Sequence, residues 1–503
     1  MKKFLRELII AFLAFVAIGL YLLRPFIQQP KVIPKETEVL VIGAGLSGLA
    51  TAYELKKRGI PFHILELTPR IGGRVRTVQY RLPGEPVMTA DSGMEEYWDS
   101  NPGVKLLSEL KLPTRSDFAV SSMVLKGQLE SIAEGEDGPG YIKRILTPSE
   151  LESLEAFKER THTVYARLIE ERSKGIGQKL PPDLSALIPI SFADWVKKGG
   201  GSAHRMPPRV ADWIRISVEC EAGTQWDRFS ALDGIAEFHI FFGEGEKSHR
   251  VVGGNEAFTD ALARSIGKYS ISLNQMVKRI DTHGDRLRVH FLDTATNRAS
   301  VISARYVVST IPLFRLFEVQ FTPALSEEKR NAISSQTWGS YFKAHVFVRG
   351  SAKRFWESGE HSILPILSDS DLGVIYEGAP DHPGATQLLS LLITGDRAEA
   401  FNFMQVDQVR ERLHAAFEEL WPGFSREIIS MEFYRYHPRA VAGWPVGRSR
   451  FDALSDEIRR PERGVYFAGD FTESTHSSGA FESAQRVVSQ IVEARGARKG
   501  AKK

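Results

Sequence analysis

The sequence predicts an α/β protein that opens with a Rossmann-type domain, in which parallel strands and helices alternate around a nucleotide site. This prediction rests on three observations. An apolar run over residues 39–42 leads directly into a glycine-rich turn, and a helical pattern follows the turn. A second apolar run, 62–65, ends in the acid Glu66. Near the C-terminus, another apolar strand ends in Gly469 and Asp470 and is followed by a further helix.

The three glycines of the first turn, Gly43-Ala44-Gly45-Leu46-Ser47-Gly48, serve different purposes. Gly43 permits the tight turn, Gly45 lets the backbone approach a diphosphate, and Gly48 lets the helix pack on the sheet. The helix that begins near Leu46 points free N–H groups at that diphosphate. Glu66, about 20 residues further on, can accept hydrogen bonds from ribose hydroxyls. We therefore predict a dinucleotide site that also includes Ala44 and Ser47.

A second glycine turn, Arg70-Ile71-Gly72-Gly73-Arg74, follows the acid closely. Two glycines flanked by arginines predict another phosphate-facing turn, which sites for NAD alone do not usually have. With the first turn, this motif resembles the flavin-containing amine oxidase superfamily, in particular its monoamine and polyamine oxidases, from about Thr37 to about Val492. The resemblance implies FAD as the cofactor and assigns Arg70, Gly72, Gly73 and Arg74 to its site.

The C-terminal segment Val465-Tyr466-Phe467-Ala468-Gly469-Asp470, followed by Thr475-His476-Ser477-Ser478-Gly479-Ala480, resembles the flavin motif that closes this superfamily. The resemblance implies that Asp470 bonds the ribityl chain. It adds Gly469, Gly479, Ala480 and Phe481 to the cofactor site, and it implies a contact between Val277 and the adenine end. A helix N-terminus at the flavin ring would stabilise the negative charge of the reduced flavin.

The family architecture implies a glutathione-reductase-like FAD-binding domain interleaved with an α+β substrate domain. We expect the FAD-binding domain at 37–115, 249–312 and 434–494. We expect the substrate domain at 116–248, which is mostly helical, and at 313–433. Residues 1–36 are expected to form a membrane anchor with its linker, and residues 495–503 a solvated, disordered basic tail.

Lys343 is the predicted catalytic residue. It lies in an alternating strand, in phase with Tyr341, His345 and Phe347. The family places a lysine here that holds a water molecule at flavin N5. The resemblance implies that Lys343 takes part in reoxidation by oxygen or in positioning the substrate amine.

The substrate pocket departs from the family pattern. Ala440 and Ala480 fall where monoamine oxidases have two aromatic side chains, so Trp444 or Tyr434 is expected to supply a wall, or the cavity accepts a bulkier molecule. The tethering cysteine of those enzymes falls near Arg439, so we expect non-covalent FAD.

Acids follow Gly93, where L-amino acid oxidases of the superfamily place a carboxylate-binding arginine. This chain has Glu95, Glu96 and Asp99 instead. Acids suit a cationic amine or polyamine and repel a carboxylate. The alternative that these acids are solvated surface residues stays open.

Composition indicates a globular protein of at least two domains. Of the 503 residues, 42% are hydrophobic and 25% charged, and the net charge is +3. Nothing in this balance indicates a nucleic-acid partner. The single cysteine, Cys220, excludes an intrachain disulfide, and no metal site is expected.

Residues 8–23 form an unbroken apolar run after Lys2, Lys3 and Arg6. No small-residue cleavage site follows this run, which favours an uncleaved membrane anchor over a secretory signal. Basic residues flank both ends of the run, so the side of the membrane is not determined.

These features predict an FAD-dependent amine oxidase. The resemblance implies hydride transfer to flavin N5, hydrolysis of the imine and reoxidation by oxygen to give hydrogen peroxide; a quinone is the other acceptor considered. One alternative is a desaturase or dehydrogenase of a membrane-dissolved apolar substrate. Another is a flavin-binding scaffold without turnover.

Overall fold

The computed structural model describes residues 33–118, 121–201, 205–242, 247–359 and 361–500. Its strands are, in chain order, β1 (Glu36–Ile42), β2 (Phe62–Leu65), β3 (Thr77–Tyr80), β4 (Met88–Asp91), β5 (Tyr97–Trp98), β6 (Thr114–Phe118), β7 (Ser122–Leu125), β8 (Gln128–Glu130), β9 (Lys247–Val251), β10 (Ile271–Ser272), β11 (Gln275–His283), β12 (Arg286–Asp293), β13 (Arg298–Ser309), β14 (Gln320–Thr322), β15 (Thr337–Gly339), β16 (Tyr341–Val348), β17 (Glu357–Ser358), β18 (His361–Ser362), β19 (Ile366–Ser368), β20 (Val374–Glu377), β21 (Gln387–Thr394), β22 (Ile428–Arg435), β23 (Val441–Gly443) and β24 (Val465–Phe467).

The helices are, in chain order, α1 (Leu46–Lys57), α2 (Pro102–Glu109), α3 (Gly138–Ile145), α4 (Pro148–Ser173), α5 (Pro182–Ser185), α6 (Phe192–Lys197), α7 (Pro208–Ala222), α8 (Ala231–Phe242), α9 (Glu256–Ile266), α10 (Leu313–Leu316), α11 (Glu327–Ser334), α12 (Gly395–Phe403), α13 (Val406–Leu420), α14 (Ala453–Arg459) and α15 (His476–Gly500). Three short 3₁₀ turns accompany them at Lys268–Ser270, Phe424–Glu427 and Asp470–Thr472.

The first layer of the molecule is an eight-stranded sheet with the order β10-β2-β1-β13-β12-β11-β14, in which β24 also pairs with β13. Its central strands β2, β1, β13 and β24 are parallel. Val39, Leu40 and Val41 are completely buried, because a parallel sheet is covered on both faces. Helices α1 and α15 pack on one face, and β12 and β13 form an antiparallel pair.

The second layer is a seven-stranded sheet with the order β22-β16-β21-β20-β19-β7-β8. The predicted helical region forms α4 to α8, and its apolar residues share one core with Val374, Tyr376 and Leu392 of this sheet. Another core lies between the sheet and helices α12 and α13. Strand β16, on which Lys343 lies, runs between β22 and β21 and is almost completely buried.

The predicted membrane anchor, 8–23, lies outside the described residues. Within the ranges given above, no helix is both long and apolar enough to cross a membrane. The membrane localisation and the membrane partner predicted from the sequence are corrected accordingly: the structure provides no membrane-spanning helix in support of either.

The predicted disordered tail is also corrected. Helix α15 continues to Gly500, and Arg495 donates to Glu38 at 2.7 Å. Arg498 lies 3.8 Å from Asp285. Glu38 belongs to β1, and Asp285 lies in the turn between β11 and β12. Arg495 and Arg498 of helix α15 therefore pair with acids of the main sheet.

Gly48 sets the distance between helix α1 and the turn before it. A Cβ atom at this position would overlap the carbonyl oxygen of Gly43. Gly43 itself has a φ of +107°, and a Cβ there would overlap Thr310. The helix therefore approaches the end of β1 only because both positions lack a side chain.

We predict that Gly48→Ala lowers the free energy of unfolding by about 1–3 kcal/mol, the usual cost of overpacking, and weakens FAD retention. Gly496→Ala is the matched control, since Gly496 is also helical but nothing lies within 4 Å of its added Cβ. Urea unfolding and flavin absorbance check the prediction. Equal stability of the two variants would contradict it.

Candidate active site

The two glycine turns are joined to each other. The N–H of Gly72 donates to the carbonyl of Ala44 at 2.8 Å. A Cβ on Gly73 would lie 3.2 Å from the Cα of Gly45, so the two backbones are in near contact. No side chain caps helix α1, whose first N–H groups therefore remain available to an anion. The pair of turns forms a cradle that fits a diphosphate.

Glu66 is held in a fixed orientation beside this cradle. One carboxylate oxygen accepts from the N–H of Ala44 at 2.7 Å, and the other accepts from the N–H and hydroxyl of Thr68 at 2.8 and 2.7 Å. A carboxylate has further lone pairs, so Glu66 can still accept from a ribose hydroxyl. The ribose-binding role of Glu66 stays a prediction.

Arg70 closes the second turn instead of pointing away from it. Its guanidinium donates to the carbonyls of Ile71 at 3.0 Å and Val75 at 3.3 Å, and also to that of Gly73. Glu256 lies 3.6 Å away. Arg70 therefore shapes the phosphate-facing backbone.

Arg74 connects three distant parts of the chain. It donates to both oxygens of Asp470, at 2.7 and 2.5 Å, and to the carbonyl of Ala440 at 2.8 Å. The N–H of Ala442 also approaches Asp470, at 3.3 Å. Sequence analysis assigned Arg74 and Asp470 to the cofactor separately and missed this bond between them, because nothing in a sequence shows that residues 74 and 470 meet.

The C-terminal motif is anchored to the first helix. Ser483 accepts from the N–H of Gly469 at 2.8 Å and lies 3.2 Å from the hydroxyl of Ser47. A Cβ on Gly479 would overlap the carbonyl of Ser474, so the start of α15 needs glycine there. The side chain of Ser47 is consequently buried between the two helices, and its contact with the cofactor stays a prediction.

Three of the predicted cofactor residues are buried in the core. Ala480 is 7% exposed, and the ring of Phe481 stacks on Phe258 with centroids 5.6 Å apart. Val277 packs in the core on the other face of the main sheet. Any contact from Phe481 or Val277 to a cofactor would therefore involve the backbone, while the side chains stabilise the fold.

Lys343 is 2% exposed, and protein atoms surround its ammonium group. The ammonium donates to the carbonyls of Asp91 at 2.8 Å and Gly93 at 3.0 Å, and to the carboxylate of Glu95. His345, two residues along the same strand face, lies 3.2 Å from the carbonyl of Asp91. Burial and the charge of Lys343 lower the pKa of His345 to about 4, so this imidazole is neutral.

The two acids after Gly93 are buried and paired. Burial raises the pKa of Glu95, but the charges of Lys343 and Arg250 outweigh it and hold that pKa below its ordinary value. Glu96 lies 3.7 Å from Arg250, and its pKa is raised because burial outweighs this cation. These acids are not solvated surface residues. Asp99, by contrast, bonds His249 at a more exposed position.

Sequence analysis missed a further acidic cluster, which consists of Glu221, Glu237, Tyr341 and His476. Tyr341 donates to the carbonyl of Glu221 at 2.5 Å, and His476 lies 3.4 Å from Glu237. Burial and the carboxylates of Glu96 and Glu237 raise the pKa of Glu221 to about 7, against the effect of His476. Two acids, Glu219 and Glu221, in the largely buried last turn of α7 were the available signal.

Four buried glutamates lie close together: Glu95, Glu96, Glu221 and Glu237. Burial raises the pKa of Tyr376 well above its ordinary value, and the carboxylates of Glu96, Glu221 and Glu95 raise it further. Tyr341 is influenced in the same way by Glu221 and Glu237, and Arg74 acts on it in the opposite sense. The acidic cluster therefore lies close both to Arg74 and to Glu95 and Glu96.

Comparison with known proteins identifies the family of this chain. The family model described as "Flavin containing amine oxidoreductase" matches residues 46–492. The chain belongs to this family. It is therefore an FAD-dependent oxidoreductase of the amine oxidase type.

Individual relatives of this flavin-containing amine oxidoreductase cover most of its length. An L-amino-acid oxidase of Sistrurus catenatus edwardsii is 24% identical over 87% of the chain and 83% of its own length. One from Vipera ammodytes ammodytes is 22% identical, over 87% and 88%. Cyclohexylamine oxidase from Brevibacterium oxydans IH-35A has a similar fold, with a TM-score of 0.73 at 19% identity over 92% of the chain and 100% of its own length. Wild-type putrescine oxidase bound to putrescine has a TM-score of 0.72 at 18% identity, over 91% and 99%.

The predicted pocket residues of this amine oxidoreductase lie in different surroundings. Ala440 is beside the Arg74–Asp470 pair, through its carbonyl. Trp444 is 2% exposed, packs in the core on the far face of the main sheet and donates to Ser455 at 3.0 Å. Tyr434 is hydrogen-bonded to Tyr80, which bonds His345 at 2.6 Å. Of the two candidate aromatic residues, Tyr434 therefore lies next to the face of β16 that carries His345. The role of Trp444 as a wall of the pocket stays a prediction.

We predict that Asp470→Asn lowers the free energy of unfolding by about 1.5–3 kcal/mol, since hydrogen bonds between charged groups contribute this much, and weakens FAD retention. Asp183→Asn is the matched control: its pair with Arg167 is about half exposed and should contribute roughly 0–1 kcal/mol. Urea unfolding and FAD release measure the two effects. A loss no larger for Asp470→Asn than for the control would contradict the prediction.

Proposed function

We propose that this flavoenzyme oxidises a cationic amine at the carbon next to nitrogen, with oxygen as the electron acceptor. The observation that supports this most directly is the surplus of carboxylates between Arg74 and Lys343. Buried negative charge that lacks a full counter-charge attracts a cationic ligand and repels an anionic one.

The cations around the site are already paired. Lys343 is bonded to Glu95, Arg74 to Asp470, and Arg450 to Asp233 and Glu237. Arg250 lies beside Glu96 and donates to the carbonyl of Glu377 at 3.2 Å. Glu221 has only the partial compensation of His476. We infer that Glu221 binds the ammonium group of the substrate.

Glu221 also suits the proton transfer that the reaction needs. An ammonium group must lose its proton before the adjacent carbon can give up a hydride. A carboxyl group with a pKa of about 7 can accept that proton near neutral pH. We therefore propose that Glu221 first pairs with the substrate and then accepts its proton at a carboxylate oxygen.

The described residues fit FAD in this role. The two glycine turns would hold the diphosphate, Glu66 the ribose, and the start of α15 the flavin ring. When bound, FAD supplies the chemistry of hydride acceptance and of electron transfer to oxygen. Cys220 is buried within α7 and donates to the carbonyl of Ile216 at 2.9 Å, which supports a cofactor without a cysteine tether.

An L-amino acid is the other substrate class to consider, because the relatives reported above include L-amino-acid oxidases. Its carboxylate would need a cation of the protein. No arginine follows Gly93 within the segment 94–99, and Arg250, Arg74 and Lys343 are each held by an acid. The charge balance therefore favours an amine without a carboxylate.

We predict that anaerobic addition of a mono-, di- or polyamine bleaches the yellow protein, and that L-amino acids at equal concentration do not. The reason is the repulsion of a carboxylate by the glutamates. Absorbance of the bound flavin is the measurement, with peroxide release in air as a second one. Bleaching by L-amino acids alone would reverse the substrate assignment, and no bleaching by any amine would refute the proposed function.

We predict that the KM for the amine rises as the pH falls below about 7, because Glu221 takes up a proton and its attraction for the ammonium group is lost. Glu221→Gln should raise the KM roughly tenfold at pH 8, which corresponds to about 1.4 kcal/mol, and should abolish this pH dependence. Glu219→Gln is the control on the same helix, since Glu219 is engaged by Trp226 and Arg215. Steady-state kinetics from pH 6 to 9 distinguishes the two variants.

A further inference from the structure

Lys343 has no N–H left for another partner. An ammonium group has three donors, and those of Lys343 are used by the carbonyls of Asp91 and Gly93 and by the carboxylate of Glu95. The two carbonyls belong to the backbone beside β4 and cannot move independently. Only the contact with Glu95 can be released by a side-chain rotation.

We propose that Glu95 is a positioning residue that controls Lys343: it occupies the third N–H, keeps the buried ammonium charged, and links it to solvent through an adjacent cavity. This inference rests on the proposed function only in that Lys343 serves the amine oxidase reaction. The ion pair itself is independent of the substrate.

Burial makes the pair interdependent. The side chains of Lys343 and Glu95 are only 2% and 10% exposed, so either charge alone would be strongly disfavoured. The groups facing Glu95 are Lys343 and His345 of β16, Arg250 of β9, Asp91 of β4 and Tyr376 of β20, with Glu96 next in sequence. His345 is neutral, and Arg250 is shared with Glu96. Lys343 is thus the main counter-charge of Glu95.

A cavity of about 230 Å³ lies against this pair. Asp91, Glu95 and Arg250 line it on the inside, and Val87 and Val252, which are 40% and 42% exposed, lie at its rim. Burial and the charge of Glu95 raise the pKa of Asp91 to about 7, so a second proton-exchanging group borders the cavity. Glu95 therefore connects the ammonium group of Lys343 to a cavity that opens to the surface.

The test compares Glu95→Gln with Glu219→Gln, which removes another largely buried acid that is engaged by Arg215 and Trp226, away from Lys343. We expect Glu95→Gln to slow reoxidation of the reduced flavin about tenfold at pH 9 and to shift the pH at which this rate falls by at least one unit toward lower pH. The cause is an ammonium group buried without its counter-charge. The absorbance spectrum of the oxidised flavin should change with pH over the same range. Glu219→Gln should show neither effect, and Glu95→Asp, which keeps the charge, should keep the wild-type profile.

A thermal-unfolding cycle tests the pair without any turnover. Glu95→Gln and Lys343→Met should each lower the unfolding temperature, and the double variant should unfold at a higher temperature than either single variant because no unpaired charge remains. Additive losses in the cycle, or a Glu95→Gln profile equal to that of Glu219→Gln, would overturn the proposal. If wild type reacts with no amine, the proposed function fails while the cycle still decides whether the pair exists. If Glu95→Gln does not fold, the double variant and Lys343→Met decide it.

Discussion

The bond between Arg74 and Asp470 is the constraint on which the site depends. It joins the second glycine turn to the C-terminal motif with two hydrogen bonds, and a third fixes the carbonyl of Ala440. Since Asp470 is almost completely buried, loss of its partner would leave a charge without solvent. The pair therefore holds the second glycine turn and the C-terminal motif in a single geometry, which is the arrangement that the predicted FAD site requires.

Buried charges elsewhere in the molecule are also held in ion pairs. Arg450 neutralises Asp233 and Glu237, and Glu95 neutralises Lys343, in each case away from water. Glu221 differs, because like charges surround it and only His476 opposes them. Asp91 and Glu96 are likewise buried acids whose counter-charges do not fully offset burial. The proposal that the site prefers a positive ligand rests on this remaining negative charge, which the number of acids in the sequence does not show.

Some predictions succeeded because their cause is local. The turn 43–48 requires glycine through short-range contacts, Gly48 against Gly43 and Gly43 against Thr310, so residue type and spacing were sufficient. Others depend on burial, which the sequence does not show. The basic residues 495–500 continue helix α15, and Glu95 and Glu96 are buried and paired, so the alternative that these two acids are solvated does not hold. Phe481 and Trp444 pack in cores, and their roles at the cofactor and at the pocket wall stay predictions. Hydrophobicity alone also suggested a membrane location, which no described helix supports.

The sequence by itself determined the Rossmann-type start, the two glycine turns, the acid Glu66 and the family, since these depend on backbone freedom and on residues close together in the chain. Only the tertiary structure decided that Arg74 bonds Asp470, that Lys343 is saturated by Asp91, Gly93 and Glu95, and that Glu221 lies among other carboxylates. The physical reason is that an electrostatic interaction depends on distance and on exclusion of water. Both quantities arise when segments hundreds of residues apart pack against each other.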